Sequence, residues 1–140
     1  MERPLKIANA SGFWGDQPDA AARLVAAAPD IDFLTLDYLA EVSLSIMAIL
    51  RERDPRCGYA RDFVDVVASL CAFWGRGGGT RVVTNAGGLD PEGCAQACLG
   101  VLRAAGLSRL RVAVVTGRRP GGPQVGLRLL RQLGDGRPAL

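Results

Sequence analysis

Two carboxylates four residues apart, Asp37 and Glu41, stand where the apolar run Phe33–Leu36 gives way to a helical pattern. On one side of that junction they can do general acid–base work. With Asn9 or Asn85 they also offer the oxygen ligands that a divalent cation such as magnesium takes. A third reading leaves both acids in the first turn of a helix, interacting with its dipole. Two further segments carry short polar and glycine residues after an apolar run: Asn9-Ala10-Ser11-Gly12-Phe13-Trp14 and Asn85-Ala86-Gly87-Gly88. Asn9, Ser11, Gly12, Tyr38 and Asn85 are the polar or small groups that would orient a substrate. Gly87 and Gly88 let backbone N–H groups approach a ligand, and fit a plain tight turn equally well. Phe13 and Trp14 lie in a polar loop, where they form an apolar wall for a ligand or pack into the core. Asp16 and Asp90 each precede a helical pattern and read as its caps, which makes those helix ends poor phosphate cradles.

Several chemistries are excluded. The chain has no histidine, so it holds no Ser-His-Asp triad, no Cys-His dyad and no His-ligated metal. Val83-Thr84-Asn85-Ala86-Gly87 matches a turn of short-chain dehydrogenases. Residues 8–15, however, lack G-x-G-x-x-G, and neither tyrosine is followed four residues on by lysine. The run Gly75-Arg76-Gly77-Gly78-Gly79-Thr80 lacks the Gly-Lys-Ser/Thr of a phosphate-binding loop. Cys57, Cys71, Cys94 and Cys98 contain no C-x-x-C pair. Cys94 and Cys98 share a helix face and read as small buried residues. Reduced thiols without a secretory leader fit a cytoplasmic compartment.

At 140 residues the chain is one domain or a piece of one. Its 49% hydrophobic content excludes disorder. Apolar runs of at most five residues fall far short of the ~20 needed to cross a bilayer, so no membrane partner is expected. Charge is uneven. Residues 1–65 carry 7 basic and 11 acidic side chains, and residues 66–140 carry 10 and 3. The basic half suits an anionic partner such as a nucleotide or a CoA thioester, or is a solvated face that docks an acidic neighbour. No aromatic residue interleaves the arginines after Trp74, which argues against nucleic acid.

Four apolar runs read as strands: Leu5–Ala8, Phe33–Leu36, Arg81–Thr84 and Arg111–Val115. Val82-Val83 and Val112-Ala113-Val114-Val115 are continuous rather than alternating, the pattern of parallel strands covered on both faces. Helical patterns cover Pro18–Ala28, Leu39–Arg53, Tyr59–Trp74 and Pro91–Ala105, the last with Asp90 as N-cap, proline in the first turn and Gly106 at the end. The order predicts an α/β fold: a parallel sheet of about four strands with helices on both faces, Rossmann-like and incomplete. Ligands in such folds bind beyond the carboxyl ends of the strands, which would gather the loops carrying Asn9, Asp37 and Asn85 on one rim. Residues 1–117 form this α/β unit. Residues 118–140 read as a basic Pro/Gly linker followed by an amphipathic helix, with Val125, Leu129, Leu130 and Leu133 at helical spacing. Two open sheet edges call for a partner chain or a homo-oligomer.

At these loops the sequence resembles the acyclic terpene utilisation AtuA family. The resemblance is carried by Ile7-Ala8-Asn9-Ala10 with Gly12-Phe13-Trp14-Gly15-Asp16, by Leu34 to Ala48 around Asp37-Tyr38-Leu39-Ala40-Glu41-Val42-Ser43, by Asp54-Pro55 with Gly58-Tyr59-Ala60-Arg61-Asp62-Phe63, and by Val82-Val83-Thr84-Asn85-Ala86-Gly87-Gly88-Leu89 with Pro91. It covers about residues 5–117 and implies an α/β domain roughly three times this length in full members, often with a ferredoxin-like C-terminal domain. It also implies a place in catabolism of acyclic terpenes such as citronellol and geraniol, which passes through acyl-CoA intermediates. The expected substrate is therefore a terpenoid or its CoA thioester. Catalysis falls to Asp37 and Glu41, and binding to Asn9, Ser11, Gly12, Phe13, Trp14, Tyr38, Asn85, Gly87 and Gly88. No cofactor and no reaction type follow from the resemblance. Where members carry acidic residues after Gly117, this chain has Arg118 and Arg119. A fragment, a split gene product or a shifted reading frame would each produce that change, and a non-catalytic subunit completed by a partner is the alternative function.

Overall fold

A computed structural model of the chain describes residues 3–116 and the backbone of residues 126–130. Three short strands, β1 (Ile7–Ser11), β2 (Phe33–Leu36) and β3 (Arg81–Thr84), pair in parallel in the order β1-β2-β3. Helix α1 (Ala20–Ala27) joins the first two, and α2 (Glu41–Arg53) with α3 (Asp62–Gly75) joins the second pair. Helix α4 (Pro91–Ala104) follows β3 and leads to β4 (Val112–Thr116).

Right-handed crossovers that step the same way across a sheet put their helices on the same face. That is the case here. Helix α3 packs between α1 and α4, and the core between helices and sheet holds Leu34, Leu36, Leu70, Cys98 and Leu102. Leu34, Met47, Leu70 and Leu99 are the largest fully buried side chains. The opposite sheet face is bare among the described residues: Ile7 is 66% exposed and Val83 54%. The continuous Val82-Val83 run predicts cover on both faces; the structure half-buries Val82 and leaves Val83 outside.

Local chemistry accounts for the element ends. Asp90 accepts the Gly93 N–H at 2.9 Å and Pro91 opens α4. Ser43 Oγ accepts the Ala40 N–H at 3.2 Å at the start of α2. Below the strands, Trp74 Nε1 donates to Thr80 O at 3.0 Å, and Thr80 Oγ1 donates to Ile31 O at 2.7 Å. Lys6 pairs with Asp30, and Arg3 with Asp32. Strand β1 carries a bulge: Asn9 registers with Thr35, but Ser11 registers with Leu36, leaving Ala10 as the extra residue. Ala10 and Ser11 are consequently both buried.

Two expectations are corrected. Strand β4 does not extend the parallel sheet; it pairs antiparallel with β5 (Gly126–Leu130) in a second, two-stranded sheet. The helix expected from Val125 to Leu133 therefore gives way to a strand over Gly126–Leu130, and the remaining tail, with the linker at 117–125, lies outside the described residues. The apolar residues at 125, 127, 129, 130 and 133 suit a two-residue period almost as well as a helical one. An available edge on β4 decides between them.

Tyr38 sits 3% exposed in the core, edge-on to Phe63 with ring centroids 5.8 Å apart. Burial, and then the Asp62 carboxylate, push its phenol up to about 12. The folded chain thus keeps a proton that an unfolded tyrosine releases near pH 10. The contribution to stability is intact below pH 10 and is lost as the pH rises through about 12. Denaturant melts across this range should show the decline, and Tyr38→Phe should flatten it.

Candidate functional site

The carboxyl ends of the three strands are held together by side chains. Asn85, directly after β3, accepts the Tyr38 N–H through Oδ1 at 2.7 Å and donates through Nδ2 to Asp37 Oδ1, also at 2.7 Å. Asp37 Oδ1 further accepts the Leu39 N–H at 3.2 Å. One carboxamide thereby fixes the backbone after β2 and orients the Asp37 carboxylate. On the other side, the Asp37 N–H donates to Ser11 O at 3.0 Å. Ser11 Oγ has two carbonyls in reach, Phe13 O at 3.1 Å and Asp37 O at 3.3 Å. Asn9 closes the row: its Nδ2 donates to Ser11 O at 3.1 Å, and its Oδ1 accepts from Thr35 Oγ1 at 2.9 Å.

These bonds border a hollow of about 510 Å³. Asn9, Gly12, Asp37 and Asn85 line it, together with Thr35, Leu36, Val83 and Thr84. Asn9, Thr35 and Val83 are Cα partners across the sheet, so the hollow opens on the bare face, at the carboxyl ends of the strands. With the strand order running in one direction there is no reversal between neighbours to form a switch-point crevice. The hollow forms where the loops after β1, β2 and β3 rise above the uncovered sheet. A second hollow, about 610 Å³, lies among residues such as Val25, Pro29, Phe73 and Arg76 near the last turns of α1 and α3, away from this polar rim.

The geometry thus brings Asn9, Asp37 and Asn85 to one lip. Other expected residues lie elsewhere. Ser11 is 4% exposed and ties the loops together from beneath. Tyr38 contributes its N–H to Asn85 while its ring is in the core. Trp14 packs against the core, and Phe13 is 59% exposed beside the hollow's Gly12. Glu41 is the exposed first residue of α2 and does not line the hollow. Gly87 and Gly88 serve packing. A Cβ on Gly87 would stand 2.8 Å from Pro91, and one on Gly88, whose φ is +49°, would stand 2.4 Å from the Met47 sulfur. Asp16 accepts the N–H groups of Gly12 and Gln17 at 3.0 and 2.7 Å, which hold its carboxyl below the usual range. It braces the loop and takes the Gly12 N–H that a ligand would otherwise meet.

Thr35, Val83 and Thr84 are the lining residues that motif reasoning passes over. For Thr35 and Val83 the signal is the two-residue period of a strand: once Asn9 is taken to face outward, its sheet partners face outward too, whereas Thr84 pairs with buried Leu36 and its Oγ1 accepts the Ala86 N–H at 3.1 Å. Among the described residues no three His, Cys, Asp or Glu side chains converge as a metal site. Cys94 and Cys98 are both buried on α4, and the Cys94 thiol is pushed up by its hydrogen bond to Cys98 and by burial.

Residues 5–120 match the family model described as acyclic terpene utilisation family protein AtuA. No curated protein and no solved structure matches the chain.

Removing the carboxamide should loosen the lip. Asn85→Ala leaves the Tyr38 N–H without its acceptor and should cost about 1–3 kcal/mol in urea unfolding. Asn85→Asp keeps an acceptor but sets a second carboxylate against Asp37. Its deficit relative to wild type should shrink toward acid pH, where a proton shared by the pair relieves the repulsion.

Proposed function

The chain belongs to the acyclic terpene utilisation AtuA family, and on that premise we propose that its lip binds an acyclic terpenoid, as the acid or its CoA thioester, during terpene catabolism. Asp37 is the working carboxylate. Asn9 and Asn85 orient the substrate's polar end, and Thr35 adds a hydroxyl group to the same hollow. What carries this reading is the convergence of Asn9 from β1 with Asp37 and Asn85 from the loops after β2 and β3 on one hollow. Asp37 Oδ1 is held by two donors, so the carboxylate has a defined direction, as a group that accepts a proton or a substrate hydroxyl requires.

The prenyl chain needs an apolar track, and the bare sheet face supplies one. Val83 borders the hollow, and Ile7 and Phe33 follow one outward row further along the strands. Strand residues two apart are separated by ~7 Å, so two rows match much of a ten-carbon chain. Exposed Phe13 stands at the rim. The basic balance of residues 66–140 suits the phosphates of a CoA thioester.

A second reading is favoured by the same bare face: the chain is a non-catalytic subunit whose open sheet is completed by another polypeptide. Titration separates the two. Trp14 is half-buried in the Gly12–Asp16 loop, and its emission should change with geranyl- or citronellyl-type CoA thioesters more than with free CoA. Asp37→Asn should weaken that binding about tenfold, the ~1.5 kcal/mol of a hydrogen bond to a charged group. Unchanged emission over the whole titration would support the subunit reading.

A further inference from the structure

Helix α2 buries Ser43 and Met47 on one side. About a third of a turn round from that side, α2 presents Val42, Ile46 and Ile49, which are 67%, 43% and 57% exposed. The spacing i, i+4, i+7 puts the three in one stripe. The stripe continues to Arg53 in the last turn, while Glu41 stands in the first. Among the described residues neither the Glu41 carboxylate nor the Arg53 guanidinium has a partner, whereas Arg51 is taken up by Leu89 O at 2.9 Å. A helix with an apolar centre, an acid at one end and a base at the other is complementary to itself reversed.

We propose that α2 pairs antiparallel with α2 of a second copy of this chain, about a two-fold axis. Ile46 of each copy then meets Ile49 of the other. Val42 lies along the aliphatic stem of Arg53, whose guanidinium reaches the end that carries Glu41. Parallel pairing would set Glu41 against Glu41 and Arg53 against Arg53, so charge selects the antiparallel form. The isologous arrangement also closes on itself and stops at two copies. Thirteen residues at ~1.5 Å rise give ~20 Å of helix, short of what fills a standard interface of ~800 Å² per partner. The dimer is accordingly weak and concentration-dependent. The stripe lies outside the hollow, so the pairing stands independently of what the hollow binds.

Sedimentation equilibrium of the purified chain from micromolar to millimolar concentration tests this. The wild type should pass from monomer to dimer mass. Ile46→Arg should remain monomeric throughout with unaltered far-UV circular dichroism, because the side chain replaced is at the surface. Arg53→Glu should raise the dissociation constant about tenfold, and adding Glu41→Arg to it should recover most of that loss. A wild type that stays monomeric, an assembly that survives Ile46→Arg, or a double variant no tighter than Arg53→Glu would each overturn the pairing. The Trp14 titration reads the hollow separately, so a failure of one leaves the other standing.

Discussion

Two crossovers of the same hand, stepping in the same direction, decide most of this molecule. Each right-handed unit lays its helix against the face where the preceding one lies, so α1 and α3 share a side and bury Leu34, Leu36 and Leu70 between themselves and the sheet. The cost is a second face that nothing in the described residues covers. Polar Asn9 and Thr35 and apolar Ile7 and Val83 stand side by side there. A surface of that kind is poor as a finished exterior and well suited to meeting a ligand or another chain, because its apolar area is still in contact with water.

The lip survives on that open face because it is cross-braced. The Asn85 carboxamide spans β3 and the chain after β2, and Ser11 spans β1 and that same chain. Short polar side chains do this work because they reach adjacent backbone and no further. Fixed dipoles that need not reorganise when a substrate arrives are the condition for electrostatic orientation in a site. Among the residues around Asp37, the ones that hold it matter as much as the carboxylate.

Much of this is legible in the residues. The limits of β2 and β3 coincide with their apolar runs, and α4 begins where Asp90-Pro91 predicts. Strand β1 starts two residues and ends three residues later than the run Leu5–Ala8 suggests, because its pairing with β2 and its bulge draw Asn9 and Ser11 into the ladder. The loops after the strands were identifiable from their Asn, Asp and Gly content, and three of their residues do share one hollow. The glycines misled because φ +49° and the contact with Met47 at Gly88 are tertiary facts that composition does not carry. Thr35 and Thr84 stayed hidden inside strands, where hydroxyl residues read simply as good strand formers. The C-terminal strand was missed because a five-residue leucine-rich run has no period of its own until an edge is offered to it.

The extra residue at Ala10 reaches furthest. Along a pleated ribbon, parity alone assigns each side chain to the inside or the outside. By spending one residue without advancing the pairing, β1 changes parity between Asn9 and Ser11, so one amide faces the hollow while the next hydroxyl is sealed underneath as a brace. A regular ladder over the same residues would set Ser11 opposite Asp37 and turn its hydroxyl outward beside Asn9, so the brace exists only because the bulge does.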